Sequence, residues 1–329
     1  MASVVYMGTP DFAAGILRSL IGSGHEVKAV FTQPDRPKGR RGELQMPPVK
    51  ALALENGIAV YQPEKIRFPE NVQLIENIKP DFIVAAAFGQ IIPQAILDIP
   101  QYGCLNVHAS LLPRWRGAAP IQWSILSGDR VTGVTIMRMN AGLDTGDMIL
   151  KEEIPILDDE TGESLFEKLM HSGEKLLPEA MEQILAGSAV YTEQPAESPT
   201  PYARMLTRQS GLIDWHESAA SIERLVRAMY SWPGTFSYLN GKMLKILRSG
   251  VAEPDMEKEL MSAISAEHGA ARPGEIVRAQ KDDFIVQTGN GLLRLLEVQP
   301  EGKKRMAADA FLRGYHLKEG DVLSEERQV

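Results

Sequence analysis

An unbroken apolar segment in the first half of the chain constrains the fold more than any other feature. Residues 82–87 (FIVAAA) carry no polar side chain, as expected for a parallel strand that is covered on both faces. Mostly apolar segments at residues 4–7, 27–31 and 133–139 alternate with stretches of helical spacing, such as the one that follows Asp11. This alternation predicts a doubly wound, mostly parallel α/β sheet, in which ligands bind beyond the carboxyl ends of the strands.

The second half of the chain has a different pattern. Short apolar segments between residues 235 and 299 are separated by turn signals, among them Asn240-Gly241 and Asn290-Gly291, which favour tight hairpins. Several short strands of this kind predict a small β-barrel. A proline-rich stretch at residues 194–201 has the composition of an extended linker. The expected limits are 1–190 for the α/β domain, 191–206 for the linker and 207–329 for the barrel.

The charge balance restricts how this protein can contact a polyanion. The chain has 329 residues and a formal net charge of −8, whereas a protein held to nucleic acid by bulk charge is normally basic. Any such contact must therefore be local. Two short basic runs, at residues 35–41 and 303–305, could supply it, although runs of this length are more often solvated loops or turns.

Three features bear on the compartment. No apolar run reaches the length of a membrane span, and residues 1–7 have the pattern of a first strand rather than of an export signal. Cys104 is the only cysteine, so no intrachain disulfide can form. We therefore expect a cytoplasmic protein without a membrane partner.

An amide and an imidazole stand two residues apart at the end of a predicted strand. Asn106 and His108 follow an apolar run, and side chains two apart in a strand point to the same face. Acyl chemistry needs a fixed donor for a developing oxyanion and a base that titrates near neutrality. Alone, such a pair is more typical of a strand end whose polar residues meet solvent. The apolar, proline and basic residues that follow, up to Gly117, favour a site.

A second loop could bring a carboxylate to the same place. Residues 140–147 follow another strand and contain Asp144 and Asp147, with two glycines that let the loop pass close to a ligand. Asp147 fits the alternative of a turn cap better. A carboxylate that faces His108 would hold the ring in one tautomer, and the three groups together suit acyl transfer without a covalent intermediate.

Several other kinds of site are disfavoured. Residues 8–12 follow the first strand where a phosphate-binding loop would lie, but they lack its glycine spacing. Ser110 has no nucleophile-elbow motif around it. The histidines and carboxylates show no convincing metal spacing. The sequence thus argues against a dinucleotide site, a covalent nucleophile and a metal centre.

The segments just described resemble a known family. Residues 106–113 and 142–147 are strongly similar to the folate-dependent formyltransferases, and the similarity extends to both termini. The resemblance implies a Rossmann-like catalytic domain followed by an OB-like barrel that holds tRNA, and an enzyme of translation initiation that we expect to be a monomer. The segments that look most like the members acting on initiator methionyl-tRNA are residues 7–12, 31–37, 110–122 and 302–304.

The resemblance implies a reaction and gives residues their roles. The co-substrate 10-formyltetrahydrofolate would pass its formyl group to the α-amino group of methionine on the initiator tRNA, with no metal. Asn106 would donate to the formyl oxygen as it becomes an oxyanion, His108 would stabilise that charge or shuttle protons, and Asp144 would orient His108. The expected tetrahydrofolate residues are Ser110, Leu111, Leu112 and Pro113, with Phe88 and Ile91 from the neighbouring strand end, for which core packing is the alternative.

The same resemblance implies two regions of tRNA contact. The segment at residues 33–48 corresponds to an insertion that reaches the acceptor end, and the barrel holds the tRNA body. Related enzymes often carry a Lys-Lys pair where this chain has Gly42-Glu43, so Arg40 or Arg41 is the expected loop cation. The full expected set is Arg36, Lys38, Arg40 and Arg41 in the loop and Lys303, Lys304 and Arg305 in the barrel.

Two other functions stay open at this point. The Asn-x-His and Asp elements alone fit any member of the family, including those that act on an amine of a nucleotide sugar or a ribonucleotide. The chain could also be an RNA-binding module on a degenerate formyltransferase fold. The presence of Asn106, His108 and Asp144 together argues against that last alternative.

Overall fold

The chain folds into two compact units. The computed structural model describes residues 1–38, 43–267, 271–281 and 283–326. The α/β unit comprises Met1–Ile121, Arg130–Ile156 and Ser164–Met205. The barrel unit comprises Gln122–Asp129, Leu157–Glu163 and Leu206–Val329. Two short segments from the first half of the chain therefore belong to the barrel unit.

The α/β unit is built on one large sheet. The described strands of this half are β1 (Ser3–Gly8), β2 (Glu26–Phe31), β3 (Arg36–Lys38), β4 (Glu43–Gln45), β5 (Ala59–Tyr61), β6 (Phe82–Ala86), β7 (Cys104–His108), β8 (Val131–Arg138) and β9 (Met148–Pro155). Among them, the large sheet has the order β5-β2-β1-β6-β7-β8-β9. The pairs from β5 to β7 are parallel, and β7–β8 and β8–β9 are antiparallel. The prediction of a doubly wound, mostly parallel sheet is confirmed.

The apolar segment at residues 82–87 lies at the centre of this sheet. Every residue of β6 is buried, which means that both faces of the strand are covered, and this accounts for its lack of polar side chains. Phe31 and Phe88 belong to the same buried cluster as β6 residues Ile83 and Ala85. The helices of this half are α1 (Asp11–Gly22), α2 (Pro48–Glu55), α3 (Pro69–Ile78), α4 (Gln94–Leu97), α5 (Pro120–Leu126) and α6 (Gly162–Leu185).

Helix α6 runs without interruption through a glycine and a proline that would weaken an isolated helix. A Cβ at Gly173 would lie 2.7 Å from Cδ1 of Ile16 and 2.9 Å from Cγ1 of Val107. Glycine is therefore required here because the helix approaches α1 and β7 closely, and its cost in helix propensity is offset by tertiary packing. Pro178 lies inside the helix without ending it.

Gly133 on β8 has no room for a side chain, and its replacement is expected to destabilise the α/β unit. A Cβ at Gly133 would lie 1.9 Å from the carbonyl oxygen of Glu152 and 2.6 Å from Cδ2 of Leu111. We expect Gly133→Ala to cost about 3 kcal/mol and to lower the melting temperature by about 6–12 °C. The matched control is Gly22→Ala in the same unit, since nothing lies within 4 Å of its added methyl. Equal melting temperatures for the two variants would contradict the prediction.

The long segment at residues 33–48 contains regular structure that the sequence did not predict. Strands β3 and β4 form an antiparallel pair in which Arg36 is opposite Gln45 and Pro37 is opposite Leu44. The segment was predicted to be a loop because proline and glycine interrupt its pattern. Arg40 and Arg41 lie outside the described residues.

The barrel unit is a curled antiparallel sheet. Its elements are α7 (Ala219–Ala228), β10 (Thr235–Leu239), β11 (Lys242–Val251), α8 (Pro254–Glu267), β12 (Ile276–Gln280), β13 (Asp283–Gln287), β14 (Leu292–Pro300), β15 (Met306–Ala307), α9 (Ala308–Tyr315) and β16 (Leu323–Ser324). Among the described residues its strand order is β12-β13-β14-β11-β10-β16, and β15 pairs with β14. The two edges meet because Leu323 N–H donates to the Gly274 carbonyl and Ile276 N–H donates to the Asp321 carbonyl, both at 2.8 Å. The prediction of a barrel is confirmed.

Local sequence signals explain parts of this unit. Asn240 and Gly241 join β10 to β11 with φ values of +49° and +71°, the left-handed pair that a two-residue hairpin needs. Helix α8 begins with the acidic residues Asp255 and Glu257 in its first turn, where carboxylates interact favourably with the helix dipole. Within the described ranges, none of the helices combines the length and apolar character of a membrane span.

Candidate active site

Strand β7 presents Asn106 and His108 to one carboxylate. Nδ2 of Asn106 lies 3.5 Å from Oδ1 of Asp144, and Nδ1 of His108 lies 3.8 Å from the same oxygen. The two residues share a face of the strand because they are two apart, and Asp144 comes from the loop after the neighbouring strand β8. The structure therefore brings the three predicted catalytic groups together. Asp147 instead continues the backbone pairing of β8, since its carbonyl accepts from Arg138 N–H at 2.8 Å.

The buried His108 ring is fixed by a backbone carbonyl. Its Nε2 lies 3.0 Å from the carbonyl oxygen of Trp115, and His108 is only 5% exposed. A carbonyl oxygen can only accept, so Nε2 carries a proton. In the neutral ring the lone pair is then on Nδ1, the atom that faces Asp144. His108 can therefore take up a proton beside a carboxylate that offsets the resulting charge.

The position of the Asp144 carboxylate is fixed by a hydrogen bond from the loop after β7 and by the backbone conformation of Asp144 itself. Oδ2 accepts a hydrogen bond from Gly117 N–H at 2.8 Å, and Asp144 has a φ of +53°, a left-handed conformation that aspartate tolerates better than most residues. A Cβ at Gly146 would lie 1.8 Å from the Arg138 carbonyl oxygen. The loop therefore passes too close to the end of β8 for any larger residue at position 146.

The residues predicted to bind tetrahydrofolate lie in different environments. Ser110 is fully buried, and its hydroxyl donates to the Arg114 carbonyl at 2.7 Å. Leu112 is buried, Leu111 and Pro113 are partly exposed, and Leu112 N–H donates to Oγ1 of Thr135 at 3.1 Å. Phe88 is 4% exposed within the core cluster, whereas Ile91 is 83% exposed. Folate binding by these six residues stays a prediction.

The predicted tRNA cations are divided between the two units. Arg36 is exposed on β3, and this strand ends at Lys38. Arg40 and Arg41 lie outside the described residues. Lys303 and Lys304 are exposed in the turn between β14 and β15. Arg305 lies 3.4 Å from Glu297, so part of its charge is offset. Contact with tRNA by these residues stays a prediction.

Asp35 anchors the start of the insertion segment. Its carboxylate accepts hydrogen bonds from Nζ of Lys50 and Nε2 of Gln62, both at 2.7 Å. The bond from Lys50, followed by that from Gln62, holds the pKa of the Asp35 carboxyl below its usual range. These partners come from α2 and from the residue after β5, so Asp35 ties the insertion to the sheet.

This anchor predicts a pH-dependent stability. The pKa of Asp35 in the folded protein lies below the unfolded value of about 3.9. The contribution of Asp35 to the free energy of unfolding is therefore present at neutral pH and is lost as the pH falls through the folded pKa. We expect Asp35→Asn to melt below the wild-type protein at pH 7, and the gap to close as the pH falls below about 4. Thermal unfolding at a series of pH values measures it. A gap that does not change with pH would contradict the prediction.

Reactive side chains outside the trio are Cys104 on β7 and one cluster in the barrel unit. Burial raises the pKa of the Cys104 thiol to about 12, so this cysteine stays protonated in the core. In the barrel unit, Asp214, His216 and Glu325 are the one set of His, Cys and carboxylate groups among the described residues that lie close enough to share an ion. All three are exposed, and a cluster of this kind is common without a metal. The expectation that the reaction needs no metal stays a prediction.

Sequence reasoning missed the groups that surround the trio. The Trp115 carbonyl and the Gly117 N–H each hold one of its members. Gln194, in the stretch that was predicted to be an extended linker, is 6% exposed and donates through Nε2 to the carbonyls of Asp144 and Gly146 at 3.0 and 2.7 Å. No local pattern signals a residue that acts through backbone carbonyls 50 positions away.

Comparisons with known proteins identify the family of this chain. The model of the formyl transferase family matches residues 1–181, and that of the formyl transferase C-terminal domain matches residues 205–316. The methionyl-tRNA formyltransferase of Agathobacter rectalis is 49% identical over 98% of this chain and 99% of its own length. The enzyme of the same name from Geotalea uraniireducens is 47% identical over 98% of both chains.

A solved structure agrees at the level of the fold. The sugar 3N-formyl transferase WlaRD, crystallised in the presence of dTDP and 5-N-formyl-THF, superposes with a TM-score of 0.63 at 19% identity, over 92% of this chain and 99% of that one. At this identity the likeness concerns the fold alone. The family matches, in contrast, cover both halves of the chain and confirm the resemblance found in the sequence. The chain belongs to the formyl transferase family, within the group of the methionyl-tRNA formyltransferases.

Proposed function

We propose that this protein transfers the formyl group of 10-formyltetrahydrofolate to the α-amino group of methionine on the initiator tRNA, in translation initiation. The observation that carries the proposal is the convergence of Asn106, His108 and Asp144. The high identity to methionyl-tRNA formyltransferases over nearly the whole chain supports the choice of acceptor. The presence of a C-terminal formyl transferase domain supports it as well.

The reaction is a direct acyl transfer. The nitrogen lone pair of the methionyl amine attacks the formyl carbon and forms the new C–N bond, and the formyl oxygen takes up negative charge. The intermediate collapses, and the bond between the formyl carbon and N10 of the folate breaks. The amine nitrogen loses one proton and N10 gains one, so no external acid or base is consumed. An enzyme must therefore stabilise an oxyanion and move a proton.

The trio supplies both functions in this proposal. Asn106 is partly exposed and has a side-chain amide whose Nδ2 donor can stabilise the oxyanion. His108 takes the proton of the attacking amine at Nδ1, because Nε2 is occupied by the Trp115 carbonyl. Asp144 offsets the charge of the protonated ring from 3.8 Å. No nucleophilic side chain is needed, which fits the absence of an elbow motif at Ser110.

The binding of both substrates follows the sequence predictions. We infer that Ser110, Leu111, Leu112 and Pro113, which connect β7 to the Trp115 carbonyl, line the folate site; Leu111 and Pro113 are the partly exposed members. Arg36 and the exposed Lys303 and Lys304 are proposed to meet phosphates of the tRNA. Because the net charge is −8, few phosphate contacts are expected, and the affinity should fall only gradually with salt.

The decisive experiment is a formylation assay with a labelled formyl donor and three acceptors. Methionyl initiator tRNA should be formylated, elongator methionyl-tRNA should react poorly, and an amino-sugar nucleotide should not react. Formylation of the sugar nucleotide but not of the initiator tRNA would replace the proposed acceptor. Measurable tRNA binding without any transfer to the three acceptors would support the alternative of a binding module.

A further inference from the structure

An extended segment lies along the loop that follows β7. This strap segment (residues 194–203) forms hydrogen bonds with residues 113–119 along its length. Oγ of Ser198 donates to the Pro113 carbonyl at 2.9 Å, and Oγ1 of Thr200 accepts from Trp115 N–H at 2.8 Å. Ala203 N–H donates to the Arg116 carbonyl at 2.7 Å. The strap is therefore part of the α/β unit and fixes the residue whose carbonyl holds His108.

At the start of the strap, Gln194 joins the two loops of the site. Its Oε1 accepts from Nε and Nη2 of Arg116 at 3.1 and 3.0 Å. Its Nε2 donates to the carbonyls of Asp144 and Gly146 at 3.0 and 2.7 Å. Four hydrogen bonds thus run through one amide that is 6% exposed, and they connect the loop after β7 to the loop after β8.

Arg116 is a buried cation that depends on this arrangement. It is 2% exposed, and burial of a charge is costly unless hydrogen bonds compensate for it. Besides Gln194, its guanidinium donates to the carbonyls of Pro195 and Ala196 at 2.8 and 3.3 Å. A planar guanidinium can serve several acceptors at once because it has five donors in a fixed geometry.

These contacts have one common target. Arg116 lies next to Gly117, whose N–H holds Oδ2 of Asp144, and Gln194 holds the backbone carbonyl of the same residue. Asp144 is thus fixed at both ends while its φ is +53°. We propose that Gln194 and Arg116 are positioning residues that hold the Asp144 carboxylate against His108. This inference rests on the proposed function, and neither residue touches the reacting atoms.

The variant Gln194→Glu separates positioning from mere structural support. A carboxylate keeps an oxygen for Arg116, so the buried cation remains paired. The same substitution replaces Nε2, which donates to the Asp144 and Gly146 carbonyls, with a carboxylate oxygen. That oxygen can only accept, so it repels the two carbonyls and the loop that carries them. We expect kcat to fall about 10- to 100-fold, since a shift of about 1 Å in a catalytic group has effects of this size. The KM values for both substrates should change by less than about 3-fold.

A double substitution tests whether Gln194 acts through Asp144. In the Asp144→Asn background, Gln194→Glu should lower kcat by less than about 3-fold further, because residues that act as a unit are non-additive. The matched control is Gln183→Glu on α6, whose Nε2 donates to Oε1 of Glu179 at 3.4 Å and which should leave kcat unchanged. If Gln194→Glu does not fold, Gln194→Ala removes the same donor without placing an acceptor against the two carbonyls, and it should lower kcat toward the lower end of the same range.

The outcomes distinguish the two proposals. If the wild-type chain does not formylate methionyl initiator tRNA, the proposed function fails and this inference fails with it. If the wild-type chain is active and Gln194→Glu retains its kcat, the positioning role is wrong while the function stands. A loss of kcat that multiplies fully with that of Asp144→Asn would also overturn the role, because Gln194 would then act independently of Asp144.

Discussion

Replacement of Asn106 with alanine is expected to lower kcat for formyl transfer by about 10²- to 10³-fold, the usual cost of a lost oxyanion donor. Asn106 is partly exposed at the end of β7, and its amide makes one long contact, 3.5 Å, with Asp144. Its removal should therefore change the free energy of unfolding by less than about 1 kcal/mol. The loss should fall on kcat rather than on KM, since the oxyanion exists only after the amine has attacked.

The measurement is a steady-state titration of both substrates, accompanied by thermal unfolding. The matched control is Asn77→Ala, an exposed asparagine on α3, which should leave both kcat and the melting temperature unchanged. If Asn106→Ala retained kcat within about 3-fold, the oxyanion would have to be stabilised by another group, and the proposed role of Asn106 would be wrong.

The position of this site could be predicted from the sequence because it depends on two general rules. Side chains two apart in a strand share a face, which joins Asn106 to His108. Loops at the carboxyl ends of neighbouring strands meet at one edge of a sheet, which brings Asp144 to them. Both rules apply to short segments, and the pattern of each segment indicates a strand end or a loop without information from the rest of the chain. These rules alone do not separate Asp144 from Asp147, which occupy the same short loop; the resemblance to the family favours Asp144, and the structure places Asp144 beside His108.

The strap segment could not be predicted because it makes its contacts with residues far along the chain. Gln194 and Arg116 are 78 positions apart, and a proline-rich stretch has the composition of a linker whether or not it is bonded to a domain. Gly173 shows the same limit, since the sequence records its low helix propensity but not the side chains of Ile16 and Val107 that require it. In both cases the deciding interaction is tertiary.

The substitution Asp144→Asn is expected to lower kcat by about 10²- to 10⁴-fold, the range over which general acid–base catalysis contributes. Asparagine keeps the shape of the side chain and tolerates the φ of +53°. Its oxygen can still accept from Gly117 N–H. Its amide nitrogen would then face Nδ1 of His108 and donate to that lone pair, because Nε2 already carries a proton for the Trp115 carbonyl. The ring would be held neutral at the atom that must take up the proton.

Asp144→Ala provides the comparison that separates charge from conformation. Alanine has no side-chain oxygen for Gly117 and is strained by about 1–2 kcal/mol in the left-handed region, so this variant should also melt at a lower temperature than the wild type. Asp144→Asn should lose a similar amount of kcat with little change in stability. Kinetic and unfolding measurements on the same preparations test this contrast. If Asp144→Asn stayed active and only Asp144→Ala lost activity, the carboxylate would have a structural role, and His108 would not need its charge.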